Sequence, residues 1–173
     1  MIDLLRKRRS IRKFTAEKVS QEAVRILIEA ALRSPSSRGI NPWEFIVVDD
    51  PGLIDELSAV KKSGSAFLKG APLAIVVGAD TTKSDVWVED TSIGAIIIQL
   101  TASSLGLGSC WIQIRKRQHD TEKTAEFRVR ELLGLPDHVA VASILAIGHP
   151  AEEKPSIPEQ NLQHDKVRFN SWS

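Results

Sequence analysis

The chain of 173 residues has one cysteine, Cys110, which excludes an intramolecular disulfide and a cysteine-rich metal centre. Its four histidines, His119, His138, His149 and His164, stand apart, none with a second histidine or cysteine at helical spacing, so no zinc or iron site is expected. Charge of neither sign dominates: 23 basic residues face 22 acidic ones, which leaves no global field toward nucleic acid or a membrane surface. No apolar run of about 20 residues exists. The longest apolar stretch is interrupted by Glu89, Asp90, Gln99, Thr101, Ser103 and Ser104. Met1-Ile-Asp-Leu-Leu passes at once into Arg6-Lys-Arg-Arg9, unlike a secretory signal, and the expected location is cytoplasmic. There is no Gly-x-Ser-x-Gly elbow, no Walker loop and no Gly-x-Gly-x-x-Gly. The Gly106-Leu-Gly108 pair follows a predicted helix, which argues against a Rossmann nucleotide site. Cys110, beside a glycine turn, reads as packing more than as a nucleophile. The side chains therefore offer no acid–base or nucleophilic machinery of their own, and any reaction would be carried by a bound cofactor.

What is present is an ordinary globular composition, 42% apolar and 26% charged, in a chain of single-domain length without repeats or a dividing linker. Only the part from about Pro150 onward is proline-rich and irregular. Ser20 is a plausible cap for a helix through Arg33, with Val24, Leu27, Ile28 and Ala31 as its core stripe. Asp50-Pro51 reads as the start of another helix with Leu53, Ile54, Leu57 and Val60 inward. Residues 61–70 read as polar and mobile. A third helix over 124–133 is stopped by Gly134 and Pro136. Strands are predicted over 44–48, 73–77 and 139–147, with 111–114 either a further strand or an extended loop. This alternation implies an α/β or α+β sandwich around one sheet.

The organising element is residues 87–105. Ile93, Ile96, Ile97, Leu100 and Ser104 recur at helical spacing, while Ala95, Ile98 and Ala102 carry the apolar character beyond one stripe. A helix apolar on most sides is buried in a large core or against a partner subunit. It delivers the chain into a turn where Gly106 and Gly108 let backbone approach something closely. Two further stretches bear on chemistry. Arg8, Ser10 and Arg12 fall on one side of an extended segment and would suit a phosphate. On spacing alone the same run reads better as a solvated basic terminus or a nonspecific nucleic-acid patch over Arg6 to Arg12. Residues 34–43, Ser-Pro-Ser-Ser-Arg-Gly-Ile-Asn-Pro-Trp, are a dense turn able to form an anion nest or a generic loop.

In this order, Arg8-Arg-Ser-Ile-Arg12, Ser34-Pro-Ser-Ser37 through Asn41-Pro-Trp43, and Leu105-Gly-Leu-Gly-Ser-Cys-Trp111 after a buried helix closely resemble the nitroreductase family. The resemblance covers nearly the whole chain, up to the Ala146-Ile-Gly-His-Pro150 turn. It implies an α+β sandwich with a central, mostly antiparallel sheet flanked by helices and a long buried helix at the interface of a homodimer. It further implies FMN between the subunits and ping-pong transfer from NAD(P)H to a small-molecule acceptor such as a nitro compound or quinone. No nucleic-acid or membrane partner is implied. By the resemblance Arg8, Arg9, Ser10 and Arg12 form the N-terminal flavin motif, with Arg8 at the phosphate and Arg12 at the N1/O2 edge of the ring. Pro35, Ser36, Ser37 and Asn41 belong to the loop that reaches the flavin of the other subunit. Trp111, Ile112 and Gln113 belong to the segment whose backbone N–H groups face N5 and O4, with Gln113 the N5 donor. Lys154 is the C-terminal phosphate ligand, with Lys166 and Arg168 as rivals. The tail after Pro150 is expected to wrap the partner.

The chain departs from the family pattern where Gly39-Ile-Asn41 replaces the usual Asn-x-Gln, and where Gln113 and Ile114 replace small residues. A second reading of the same fold is therefore a flavin-binding protein without turnover. A third is a nucleic-acid module, which balanced net charge argues against.

Overall fold

The computed structural model describes residues 1–172 and is built on one four-stranded sheet. Strands β1 (Trp43–Val48), β2 (Leu73–Asp80), β3 (Gly108–Gln113) and β4 (Val139–Gly148) lie in the order β1-β2-β4-β3, every pair antiparallel. The two long, almost wholly apolar strands are the central pair, as burial on both faces requires. Strand periodicity divides their side chains between two cores. Leu73, Ile75, Val77, Leu145 and Ile147 face one layer, and Ala74, Val76, Ile144 and Ala146 the other. A bulge at Ala142, where the β2–β4 register slips between Val77 and Gly78, shifts the parity so that Val141 rejoins the second set.

The first layer holds helices α2 (Gln21–Leu32) and α4 (Trp87–Ser104); the second holds α3 (Pro51–Ser58) and α5 (Ala125–Leu133). Three starts are capped by the residues that the sequence offers. Ser20, Asp50 and Thr124 accept from the N–H groups of Ala23, Leu53 and Phe127 at 3.1, 2.8 and 3.1 Å. Gly134 closes α5 in the left-handed conformation that favours glycine. A short α1 (Ile2–Lys7) precedes the basic stretch, and beyond Gly148 the chain leaves the sandwich as an exposed tail of two single 3₁₀ turns.

Three expectations are corrected. Residues 61–70 are anchored at two points although most are exposed: Leu68 and Ser65 are buried, and the Ser65 hydroxyl donates to Ser58 O at 2.7 Å. Ile28 is not core; it faces outward, while Leu27 and Ala31 fill the α2–α4 contact. The strand near 111 begins three residues earlier, at Gly108. The expected stripe of α4, Ile93, Ile96, Ile97 and Leu100, is its outer side in a single chain. Ala95, Ile98 and Ala102 are the side packed on the sheet.

Candidate active site

After α1 the chain is extended at Arg8 and runs beside the start of β3. Ser10 bridges Ser109 in parallel and the Ile11 N–H donates to Ser109 O at 3.0 Å. This approach needs a glycine, because a Cβ at Gly108 would sit 2.8 Å from Ile11 Cγ2. The C-terminal segment then closes over the basic stretch. Ala151 N–H donates to Lys13 O at 2.9 Å, and Glu152 Oε1 accepts from the N–H groups of Arg12 and Lys13 at 2.6 and 3.3 Å. Lys154 Nζ donates to Ser10 O at 3.0 Å and pairs with Glu152 at 3.3 Å, and the Arg9 guanidinium donates to Pro155 O. These contacts enclose a small cleft lined by Arg8, Arg9, Ser109, Glu152 and Lys154. Cations outnumber the one carboxylate there, whose acidity is raised by the Arg12 N–H and, less, by Lys154, against an opposing push from burial. Cys110 lies beneath the cluster. Burial pushes its thiol up, against the opposing influence of Arg12, Ser10, Lys154 and Arg8, so it packs as a protonated side chain.

β3 is an edge strand, and its outer side is the second part of the site. Backbone groups of alternate residues point to opposite sides of an antiparallel strand. Ser109 O and Gln113 O point away from β4, toward Ile11 N and Lys61 Nζ (3.3 Å), so Trp111 and Gln113 direct their N–H groups to the outer edge, which the 10–11 segment covers only at Ser109. Ile112 does the reverse: its backbone faces β4 and its side chain lies in the core. The Trp111 and Gln113 side chains are held clear, with Trp111 Nε1 donating to Gln113 Oε1 at 2.9 Å and Gln113 Nε2 to Arg115 O at 3.0 Å.

The loop 34–41 is the third part. Its turns use left-handed backbone at Arg38, Gly39 and Asn41. The Ser36 hydroxyl donates to Asn41 Oδ1 at 2.7 Å and accepts from Asn41 N–H at 2.8 Å, so the amide at 41 locks the loop internally. The Ser37 N–H donates to Asp90 Oδ1 at 2.7 Å; Asp90 is 1% exposed and also accepts from Ser84 Oγ at 3.2 Å. Arg38 pairs with Asp85. Pro35, Ser36 and Ser37 thus sit at the N-terminal end of α4, whereas the cationic cleft includes Ser103 at its other end. Thirteen residues of α-helix separate Asp90 from Ser103, about 20 Å. One chain brings Arg8, Arg9, Ser10, Lys154, Trp111 and Gln113 to one edge and leaves the 35–41 loop remote from the cleft. Arg12 exposes its side chain over the Phe67 ring, 5.7 Å from the centroid. Lys166 and Arg168, on the tail, do not line the cleft; Arg168 stacks on Trp172.

Ser109 and Glu152, which line the cleft, and Asp90, which anchors the 34–41 loop, are residues that motif reading assigned no role. Asp90 was legible only as an acidic residue in a first helical turn, and Glu152 only through a contact spanning 140 positions. The donor set is suited to a phosphate monoester at the cleft and to a flat heteroaromatic ring with nitrogen and carbonyl acceptors along the edge of β3. Among the described residues no group of histidine, cysteine and carboxylate side chains could hold a metal ion, and no helix is long and apolar enough to cross a membrane.

Fold and sequence define the class. The chain matches the nitroreductase family over residues 5–64 and 55–149, and it belongs to that family. It is 48% identical to an FMN-dependent nitroreductase from Clostridium difficile R20291, whose structure superposes with a TM-score of 0.98 over 99% of this chain and all of that one. A protein of Archaeoglobus fulgidus, provisionally named an NADH dehydrogenase/NAD(P)H nitroreductase, is 34% identical over 170 residues, spanning 95% of this chain and 94% of its own. The NADPH-flavin oxidoreductase of Vibrio harveyi is 31% identical over 182 residues, spanning 95% of this chain and 72% of its own.

Proposed function

We propose that the chain is an FMN-dependent oxidoreductase that takes hydride from NAD(P)H and passes it, by a ping-pong cycle in a cytoplasmic homodimer, to a small acceptor such as a nitro compound or quinone. The observation that carries this reading is the joining of a cationic cleft (Arg8, Arg9, Lys154) to an open strand edge whose Trp111 and Gln113 N–H groups are directed outward. Bound FMN supplies reversible two-electron chemistry. The protein's part is to bind and orient. Arg8 and Lys154 hold the phosphate, Arg9 and Ser10 fix the segment, and Arg12 offers a cation at the N1/O2 side, where negative charge accumulates on reduction. The amides of Trp111 and Gln113 donate along the N5/O4 side, and Ile112 serves only by anchoring the strand between them.

The outer side of α4 supports the dimer reading. Ile93, Ile96, Ile97 and Leu100 form an uncovered apolar face on α4. Pairing two such helices antiparallel carries the loop of one chain, with Pro35, Ser36, Ser37 and Asn41, to the cleft of the other. The tail with exposed Phe169 and Trp172 is read as wrapping the partner. The test is the visible spectrum of the purified protein followed by anaerobic NADH, then NADPH. Flavin bands that bleach support turnover. Flavin that stays oxidised supports the binding-protein alternative, and a protein that takes up no FMN refutes both.

A further inference from the structure

A second cationic cluster lies at the far end of the same strand edge. Where β3 ends, the chain turns through Arg115, Lys116 and Arg117, and the segment after α3 brings Lys61 and Lys62 against that turn. Hydrogen bonds join the two segments, one of them made by the Lys61 ammonium. Lys61 Nζ donates to Gln113 O at 3.3 Å and Lys62 N–H to Gln118 O at 3.2 Å. The turn itself is pinned by Arg115 N–H to Ala142 O at 3.1 Å, Arg117 N–H to Ile114 O at 3.0 Å, and Ala125 N–H to Arg117 O at 2.9 Å. The Arg115 guanidinium lies over the Trp87 ring, 5.6 Å from its centroid.

Five basic residues therefore lie on two joined segments, and the Lys61 and Arg117 charges are close enough to repel. Among the described residues none of the five is in an ion pair, and the neighbouring Asp120 carboxylate pairs with His119 at 3.7 Å. Partial burial, and then the Arg117 guanidinium, lower the Lys61 ammonium from its ordinary value. Uncompensated like charges held together disfavour the empty state and favour an anion that neutralises them. The cluster is separated from the cleft by the length of β3, four residues or roughly 14 Å from Ser109 to Gln113. A molecule laid against Trp111 and Gln113 reaches it, and FMN phosphate bound at Arg8 and Lys154 does not.

We propose that Lys61, Arg115 and Arg117 form an anion subsite at the exit of β3, which receives a phosphate or carboxylate of the substrate lying beside Trp111 and Gln113. This rests on the oxidoreductase reading above and specifies its substrates as anionic. Two sources share the chemistry: the phosphates of the reduced nicotinamide nucleotide, and a carboxylate on the acceptor.

The test compares holoenzyme with the Lys61→Gln/Arg117→Gln double variant and with Arg117→Glu, using NADPH, NADH, 4-nitrobenzoate and uncharged 4-nitrobenzyl alcohol. The expected result is a loss of about tenfold or more in kcat/KM for the anionic substrate relative to its comparison partner, carried by KM and diminished by salt. A change in the NADPH-to-NADH ratio assigns the 2′-phosphate. An equal loss on both nucleotides with the two acceptors unchanged relative to each other assigns the pyrophosphate, and a change in the ratio of the two acceptors assigns the carboxylate. Proportional change across all four substrates overturns the subsite. If the protein proves to hold no flavin, the parent reading fails, and calorimetric titration of inorganic pyrophosphate decides the subsite on its own. Binding weakened about tenfold in the double variant upholds it, and identical binding overturns it.

Discussion

The two sides of α4 carry nearly the same chemistry and meet different fates. Toward the sheet, Ala95, Ile98 and Ala102 are fully buried among Leu73, Ile75, Leu145 and Ile147. Away from it, Ile93 and Ile96 remain 37% and 39% exposed, with Ile97 and Leu100 beside them. The polar residues between do not separate the sides. Thr91 and Ser92 return their hydroxyls to Trp87 O and Val88 O at 2.8 and 2.7 Å, which lets them face apolar surroundings. A helix with no polar face leaves its outer side uncovered in a single chain, and the proposed dimer would cover it.

The largest effect comes from breaking the inner side. Ile98→Ala should cost about 2–5 kcal/mol in chemical denaturation, because the rigid sheet beneath cannot collapse into the space. Ile96→Asp breaks the outer side instead. It should leave the circular dichroism of the subunit intact, convert the dimer to monomer in sedimentation, and reduce FMN retention, because the loop around Ser36 no longer meets the cleft. An Ile96→Asp protein that sediments unchanged would refute the assignment of that face. Smaller, and local to the cleft, is Gly108→Ala. The added methyl meets Ile11 and should destabilise by about 1–3 kcal/mol while displacing the Arg8–Arg12 segment, read as weaker FMN binding.

These contrasts also mark what sequence could convey. Ser20, Asp50 and Thr124 act within three residues of themselves, so the helix starts were legible. Unbroken apolar runs made β2 and β4 legible as strands. β3 was half read, because Gly108 and Ser109 look like turn residues until Ile11, about a hundred positions away, is seen lying against them. Ser65 and Leu68 looked mobile for the same reason: their partners come from tertiary packing. The basic stretch was legible as a motif, yet the residues that shape it, Glu152 and Lys154, return from the other end of the chain. The loop was found, and its anchor Asp90 was not, since nothing local distinguishes a first-turn aspartate that binds a remote N–H from one that faces water.

Asp90 sharpens the comparison at the N-terminal end of the helix. Asp90→Ala leaves the Ser37 N–H and Ser84 hydroxyl without their acceptor and should cost about 1–3 kcal/mol. Asp90→Asn keeps an acceptor oxygen for Ser37 and should recover much of the loss. FMN retention that tracks these two variants in the same order identifies the loop as part of the site, whereas equal retention in both would confine Asp90 to a role in folding.

The smallest effect is a dependence on acid at the opposite end. The Glu152 carboxyl sits below the usual glutamate range, chiefly because it accepts the Arg12 N–H and secondarily because of Lys154. A depressed folded-state value means that its contribution is present above the ordinary glutamate pKa and lost as pH falls through the lowered one, that is, below about pH 4. Protonation loosens the clamp on Arg12 and Lys13, so FMN release should steepen in that window. Glu152→Gln retains a neutral acceptor that does not titrate, and its release curve should be flatter than that of the wild type through the same range. Since phosphate protonation acts on both proteins alike, the difference between the curves isolates Glu152. Superimposable curves would show that the clamp on the basic segment does not depend on the charge at position 152.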